Sequence, residues 1–166
     1  MGVEVIDRDR TYRLVQEEVA ALGRFRAAFG FLGPSALSKH PEGEVLIIDI
    51  GVFHEFGTVN MPARPIIRET FEQHGDAILA EEEAQVGKVL DGKRKAKDAV
   101  RNVARFAAKR MRETIKAAGS WAESLAAETI ARKGHSTPLL DTGALLDAVA
   151  WAVMEGDTII EHGTVA

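Results

Sequence analysis

Hydrophobic spacing divides the chain into helical and extended stretches, and the clearest of them lies past its middle. Val100, Val103, Ala104, Ala107, Met111 and Ile115 recur at three- and four-residue steps, which predicts an amphipathic helix from about Ala96 to Ala118. Upstream, Met61 and Arg64 each precede a proline, which pushes both toward extended backbone. Pro65 suits the first turn of a helix, where its missing N–H would have had no partner anyway. That helix is expected to run to about Leu90, with Ile67, Phe71, Ile78, Val86 and Leu90 as its apolar face and Asp91-Gly92 as its stop. Together the two helices predict an antiparallel hairpin. Gly119-Ser120 interrupts the second helix, and Trp121 to Ala131 is again helical in pattern.

The flanks read as strands and short helices. Val3 to Ile6 alternates briefly as a strand would, and Asp9 or Thr11 is placed to cap a helix from Tyr12 to Leu22, with Leu14, Val15, Val19 and Leu22 as its buried stripe. Phe25, Phe29 and Phe31 share one side of a strand that Gly33-Pro34-Ser35 ends, and a polar loop follows through Lys39 and Gly43. Residues 44–56 fit two periods. Leu46, Ile48, Ile50 and Val52 alternate as in a strand, whereas Val45, Ile48, Val52 and Phe56 line a helical face with Gly57 as its natural stop. Near the C-terminus Val149, Trp151 and Val153 alternate with Ala148, Ala150 and Ala152, giving a strand with one bulky and one small face. Glu155-Gly156-Asp157 turns it back into Thr158–His162. The class implied is α+β: a small antiparallel sheet packed with a long helical hairpin and shorter helices, in a single domain over residues 1–166.

Composition narrows the chemistry. A chain of 166 residues can bury about 70% of its unfolded surface and needs no staple to fold. It has no cysteine, which removes disulfides, thiolate metal sites and cysteine nucleophiles and fits assembly in a reducing cytosol. Met1 to Asp7 lacks the basic and apolar regions of a signal peptide, and Asp7 stands where a myristoylation signal needs Ser or Thr. The apolar run from Val45 to Phe53 is broken by Asp49 and falls well short of the ~20 residues of a membrane span.

The five histidines are scattered without metal-ligand spacing, and His54-Glu55 has no second histidine at position 58. Glu81-Glu82-Glu83 reads as a solvated run. No phosphate-binding loop, nucleophile elbow or dinucleotide fingerprint occurs. The expectation is a protein without catalysis, cofactor or metal.

The net charge of -4 argues against a general nucleic-acid binder, yet it averages over opposed stretches. Glu69, Glu72, Asp76, Glu81, Glu82 and Glu83 fall in a stretch without lysine or arginine, whereas residues 93–116 are strongly basic. Lys97, Arg101, Arg105 and Lys109 step by four and so share one helical face, roughly opposite the apolar one. That face is a solvated surface, or it meets an acidic surface such as Glu72, Asp76 and Glu83 of the neighbouring helix or of another copy, or it contacts DNA phosphates. Arg64 and Arg68 flank a helix start, where the macrodipole disfavours cations, so they have carboxylate partners, project into an interface or are simply solvated. Asp141-Thr142-Gly143 reads as a turn-and-cap device, the Asp accepting from nearby N–H groups and Gly143 taking a positive φ, that orients Leu145. Trp121 and Trp151 are expected to be core or interface anchors.

Two blocks carry a likeness. Leu46 to Thr58, running into Met61-Pro62-Ala63-Arg64-Pro65-Ile66-Ile67-Arg68, resembles the Glu-Phe-Gly-Thr…Pro-Ala-Arg-Pro block of tailed-phage neck and virion-morphogenesis proteins. The stretch from Trp121 through Thr129 to Lys133 and on to Pro138-Leu139-Leu140-Asp141-Thr142-Gly143 is similar to that family's second block. The likeness covers roughly residues 44–154, and the sequence departs from it at Ile66, usually aromatic, and at Leu46, commonly a capping Ser or Thr. It implies a helix over 44–56. It also implies a structural virion protein that completes or terminates the tail and joins it to the head connector, as a ring that is usually sixfold. The partners implied are other copies of the chain, tail-tube proteins and connector proteins, with genome DNA passing through the lumen and no membrane. Such a protein is built in the host cytoplasm and resides in the neck of the virion. The alternative is a regulator that binds nucleic acid through helix 94–116.

Overall fold

The computed structural model describes residues 10–165; the strand expected at Val3–Ile6 and the cap expected at Asp9 lie outside the described residues. Helix α1 (Arg10–Leu22) leads through a two-residue turn into strand β1 (Phe25–Phe31). Two helices follow, α2 (Gly33–Ala36) and α3 (Ile47–Phe56), and then the long pair α4 (Ile66–Leu90) and α5 (Ala96–Lys116). Short helices α6 (Ala118–Trp121), α7 (Ala127–Lys133) and α8 (Ala144–Asp147) precede strands β2 (Val149–Glu155) and β3 (Thr158–Thr164). The fold is α+β, with a three-stranded antiparallel sheet in the order β1-β2-β3. Gly156, at φ 58°, supplies the left-handed first position that a two-residue hairpin turn requires.

Register explains the layering. Phe29 pairs with Trp151 and Phe31 with Val149, and paired residues point to the same face. The phenylalanines of β1 therefore join Val149, Trp151 and Val153 on one bulky face. Helix α5 lies across it and buries Ala104, Ala108, Met111 and Ile115 against the sheet. Alanine at those steps lets the helix approach closely, while Met111 and Ile115, both fully buried, contribute about 1.5–3 kcal/mol each. Helix α4 packs along α5 as the other arm of the hairpin and reaches β1 through Phe71, whose ring centroid is 5.4 Å from that of Phe29. Helix α1 is tied to the start of α5 by Glu18, whose carboxylate accepts the Ala96 N–H at 2.7 Å.

Residues 47–56 are helical, as the likeness implied. Leu46 sits at the N-cap with no side-chain cap bond; the Ile47 N–H is instead satisfied by the carbonyl of Ser38 at 3.0 Å. Gly57 ends the helix at φ 74°, its N–H bonded to Phe53 O.

Several expected faces are corrected. In α4 the buried positions are Ile66, Thr70, Ile78, Gln85 and Val89, while Ile67, Phe71 and Leu90 are exposed. The apolar pattern pointed about one residue away because two of the buried positions are polar and satisfied internally. Thr70 donates to Ile66 O, and Gln85 bonds both Glu81 and Asn102. In α1, Leu14 and Val19 are exposed and Ala21 is the buried residue. Thr11 lies inside that helix rather than at its cap. The second long helix stops at Lys116, and the stretch from Trp121 to Ala131 is not one helix: residues 122–126 form an extended link between α6 and α7. Trp151 is a core residue, and Trp121 packs beside that core with its indole N–H on Thr114 O at 2.8 Å.

Candidate functional site

The two sequence blocks, far apart in the chain, face each other across one cleft of about 680 Å³. On the first side, α3 ends at Gly57 and a tight turn closes between Thr58 and Met61, with Thr58 N–H on Met61 O at 2.8 Å. The Thr58 hydroxyl accepts from Asn60 N–H, and Val59 stands at the tip, fully exposed. The chain then runs extended through the prolines and is pinned to α3 by Arg64 N–H on His54 O at 2.6 Å. Glu55 accepts the N–H groups of Ile67 (2.8 Å) and Arg68 (3.3 Å). Its carboxylate thereby caps α4 from twelve residues upstream, at the end where the helix dipole favours an anion.

Arg64 is neither solvated nor ion-paired: it is buried (5% exposed) and forms no carboxylate pair among the described residues. Its Nε donates to Glu123 O at 2.9 Å and its Nη2 to Ser124 O at 3.4 Å. The guanidinium thus holds the extended link between α6 and α7 against the cleft. A buried cation needs such acceptors, and two carbonyls in line with its fork supply them.

The second block forms the opposite wall. Leu139 takes φ 61°, a left-handed conformation that costs a non-glycine residue on the order of 1 kcal/mol or more. Gly143 is also left-handed, at φ 82°, and Leu145 is buried in the core, so the turn orients that residue as expected. The hydroxyl that accepts from the helix start is that of Thr142, on Ala144 N–H at 3.3 Å. The same oxygen lies 3.2 Å from His40 Nε2, while His40 Nδ1 accepts from Glu42 N–H. With Nδ1 accepting, the neutral ring carries its proton on Nε2 and donates it to Thr142. The pair braces the loop after α2 against the turn before α8. Among the described residues, no group of three or more His, Asp or Glu side chains is placed to hold a metal ion, and no helix is long and apolar enough to cross a membrane.

The basic stripe lies elsewhere. Arg105 and Lys109 are exposed, while Lys97 and Arg101 are half-buried and lean on the sheet. Arg101 forms a two-pronged pair with Glu161 of β3, including Nη2 to Oε2 at 2.8 Å, and reaches Asp98 at 2.6 Å. Lys97 lies 3.1 Å from the same Glu161 carboxylate. The Arg101 hydrogen bonds hold the Glu161 carboxyl well below its ordinary range, at about 2, with Lys97 adding to the effect. The Arg101 guanidinium is raised in turn. The Arg105 guanidinium sits 5.9 Å from the Trp151 ring centroid. Lys109 is exposed, as are Arg68, Glu72, Asp76 and Glu83, and none of these five forms an ion pair among the described residues.

Sequence reasoning missed Glu161 as the partner of the stripe, Glu55 as the cap of α4, and His40 as the brace of Thr142. Each acts on a partner in a different element, 12 or more residues away in the chain, so no local spacing could mark it. No protein-family model matches the chain, and neither does any curated protein or solved structure.

Proposed function

We propose that this chain is a structural virion protein of a phage neck, which completes or terminates the tail and joins it to the head connector as a ring of identical subunits, without catalysing a reaction. One observation carries the reading: the two blocks that resemble neck proteins meet on one cleft, and there they are held by bonds to backbone. Arg64 holds Glu123 and Ser124, Glu55 holds Ile67 and Arg68, and Thr142 holds Ala144. Side chains spent on fixing loops suit a rigid docking surface, because a preorganised surface loses little entropy on binding. The partners proposed are further copies of the chain, tail-tube proteins and connector proteins. DNA passes the lumen without specific contact, and the protein resides in the virion after assembly in the host cytoplasm.

Nucleic-acid binding by residues 94–116 has less support, since Lys97 and Arg101 already serve Glu161 and Arg105 lies over Trp151. The deciding experiment is to delete the gene from the parent phage. Full heads and separate tails that join when purified protein is added support the reading. Normal particles without this polypeptide, or salt-sensitive DNA binding by the purified chain, reject it.

A further inference from the structure

Among the described residues Arg64 is the only charged residue that is buried, and it lines the cleft with no carboxylate in ion-pair reach. A guanidinium keeps its proton in proteins, so the charge cannot be shed. The carbonyls of Glu123 and Ser124 take up one edge of the fork, Nε and Nη2. The other edge, Nη1 with the second N–H of Nη2, meets no acceptor among the described residues. Nη1 is not one of the side-chain atoms sealed in without a partner, so this edge opens on the cleft that Arg64 lines. The two carbonyls supply hydrogen bonds but no counter-charge, and a buried cation calls for both.

The walls narrow the kind of anion. Ile50, Met61, Leu125 and Leu139 give the cleft apolar surface. The Asn60 amide and the Thr129 hydroxyl line it too, with no side-chain hydrogen bond of their own among the described residues. Asp141 and Glu123 also line it, both exposed and neither paired with Arg64. Their charges repel a dianion such as phosphate about twice as strongly as a monoanion at the same distance. A volume of about 680 Å³ suits a molecule with a carbon body better than a lone ion. The flat guanidinium edge matches the two oxygens of a carboxylate.

We propose that the cleft binds an apolar monocarboxylate, its carboxylate on the Nη1–Nη2 edge of Arg64 and its carbon body against Ile50, Met61 and Leu139. A free acid and the C-terminus of a peptide present this same chemistry. The inference rests on the cleft alone and stands apart from the neck reading. Magnetic resonance titration of the isotope-labelled chain tests it, with N-acetyl-leucine, N-acetyl-leucinamide, acetyl-Ala-Ala-Leu and inorganic phosphate as probes. N-acetyl-leucine should shift the amide signals of residues 60–64 and 122–126 saturably. The leucinamide should bind at least about tenfold more weakly, the equivalent of one charge-assisted hydrogen bond. In Arg64→Gln that preference for acid over amide should vanish, and because the variant also loosens the link, the ratio of the two affinities is the readout. Tighter binding of the tripeptide would support the site and mark a peptide end as its ligand; tighter binding of N-acetyl-leucine would support it and mark a free acid. The inference is overturned by the absence of a saturable shift at these residues with either acid, or by equal affinities for acid and amide. Tighter binding of phosphate, or a preference for acid that survives in Arg64→Gln, would overturn it equally.

Discussion

Gly51 of α3 lies directly on the ring of Phe31 in β1: a Cβ built on Gly51 would sit 2.5 Å from Cδ2 and 2.7 Å from Cε2 of that ring. The missing side chain is what lets α3 pack onto the end of the sheet and carry the first block to the cleft. Gly51→Ala should therefore destabilise by about 1–3 kcal/mol through overpacking, even though alanine gains up to about 1 kcal/mol in helix propensity. Thermal melting should show a fall of several degrees. A double variant with Phe31→Leu should recover part of the loss, and strict additivity of the two changes would refute the contact.

Arg64 makes a sharper case, because its bonds reach across 59 and 60 residues. Arg64→Met keeps the stem but leaves two carbonyls without their donor, which should cost about 1–3 kcal/mol. Hydrogen exchange should quicken in residues 122–126 and little elsewhere. Arg64→Lys should repair the effect only in part, since an ammonium lacks the fork that spans both carbonyls. Uniformly faster exchange throughout the protein would contradict the local role.

How much of this was legible in sequence depended on distance along the chain. The face of α5 was readable because small and large apolar residues recur at helical steps and meet a sheet that needs them. The β2–β3 hairpin was readable because alternation and a Gly turn both act locally. In α4 the signal misled: Thr70 and Gln85 are buried and internally bonded, whereas Phe71 and Leu90 are apolar and exposed. Composition alone cannot separate a satisfied polar residue in the core from a solvated one. Of the cleft, the stiff turns were visible in the prolines and glycines. Their convergence was not, since it is decided by Arg64, Glu55 and His40 acting over long separations.

Glu55 offers a test of that convergence. As a cap it satisfies two N–H groups at the start of a 25-residue helix, a role worth about 0.5–2 kcal/mol. Glu55→Ala should lower stability by that amount and fray α4 near Ile67 and Arg68. Glu55→Gln should keep one of the two hydrogen bonds, because its amide nitrogen cannot accept the other N–H, and should lose a smaller part of the stability than Ala does. Chemical denaturation of the three proteins separates these outcomes, and equal losses in Ala and Gln variants would show that the retained hydrogen bond contributes nothing.

The Glu161 cluster predicts how stability responds to acid. Its carboxyl is depressed from about 4.5 to about 2 in the folded protein, chiefly by its bonds to Arg101. A depressed carboxyl stabilises the fold at pH values above its unfolded pKa, and the stabilisation fades as the pH falls from the unfolded value toward the folded one. The window is therefore roughly pH 5 to pH 2, and with partial solvent screening the loss should be about 1–2 kcal/mol. Glu161→Gln should remove this part of the acid slope while being less stable near pH 7, where Lys97 and Arg101 are left without their shared anion. Reversing Lys97, Arg101 and Arg105 to Glu would then surround Glu161 with like charge and weaken the fold itself. A loss of assembly in that triple variant would report on the subunit before it reported on any ring. Urea titrations of wild type and Glu161→Gln between pH 7 and pH 2 decide the matter, and parallel curves across the whole range would show that the pair contributes nothing to folding.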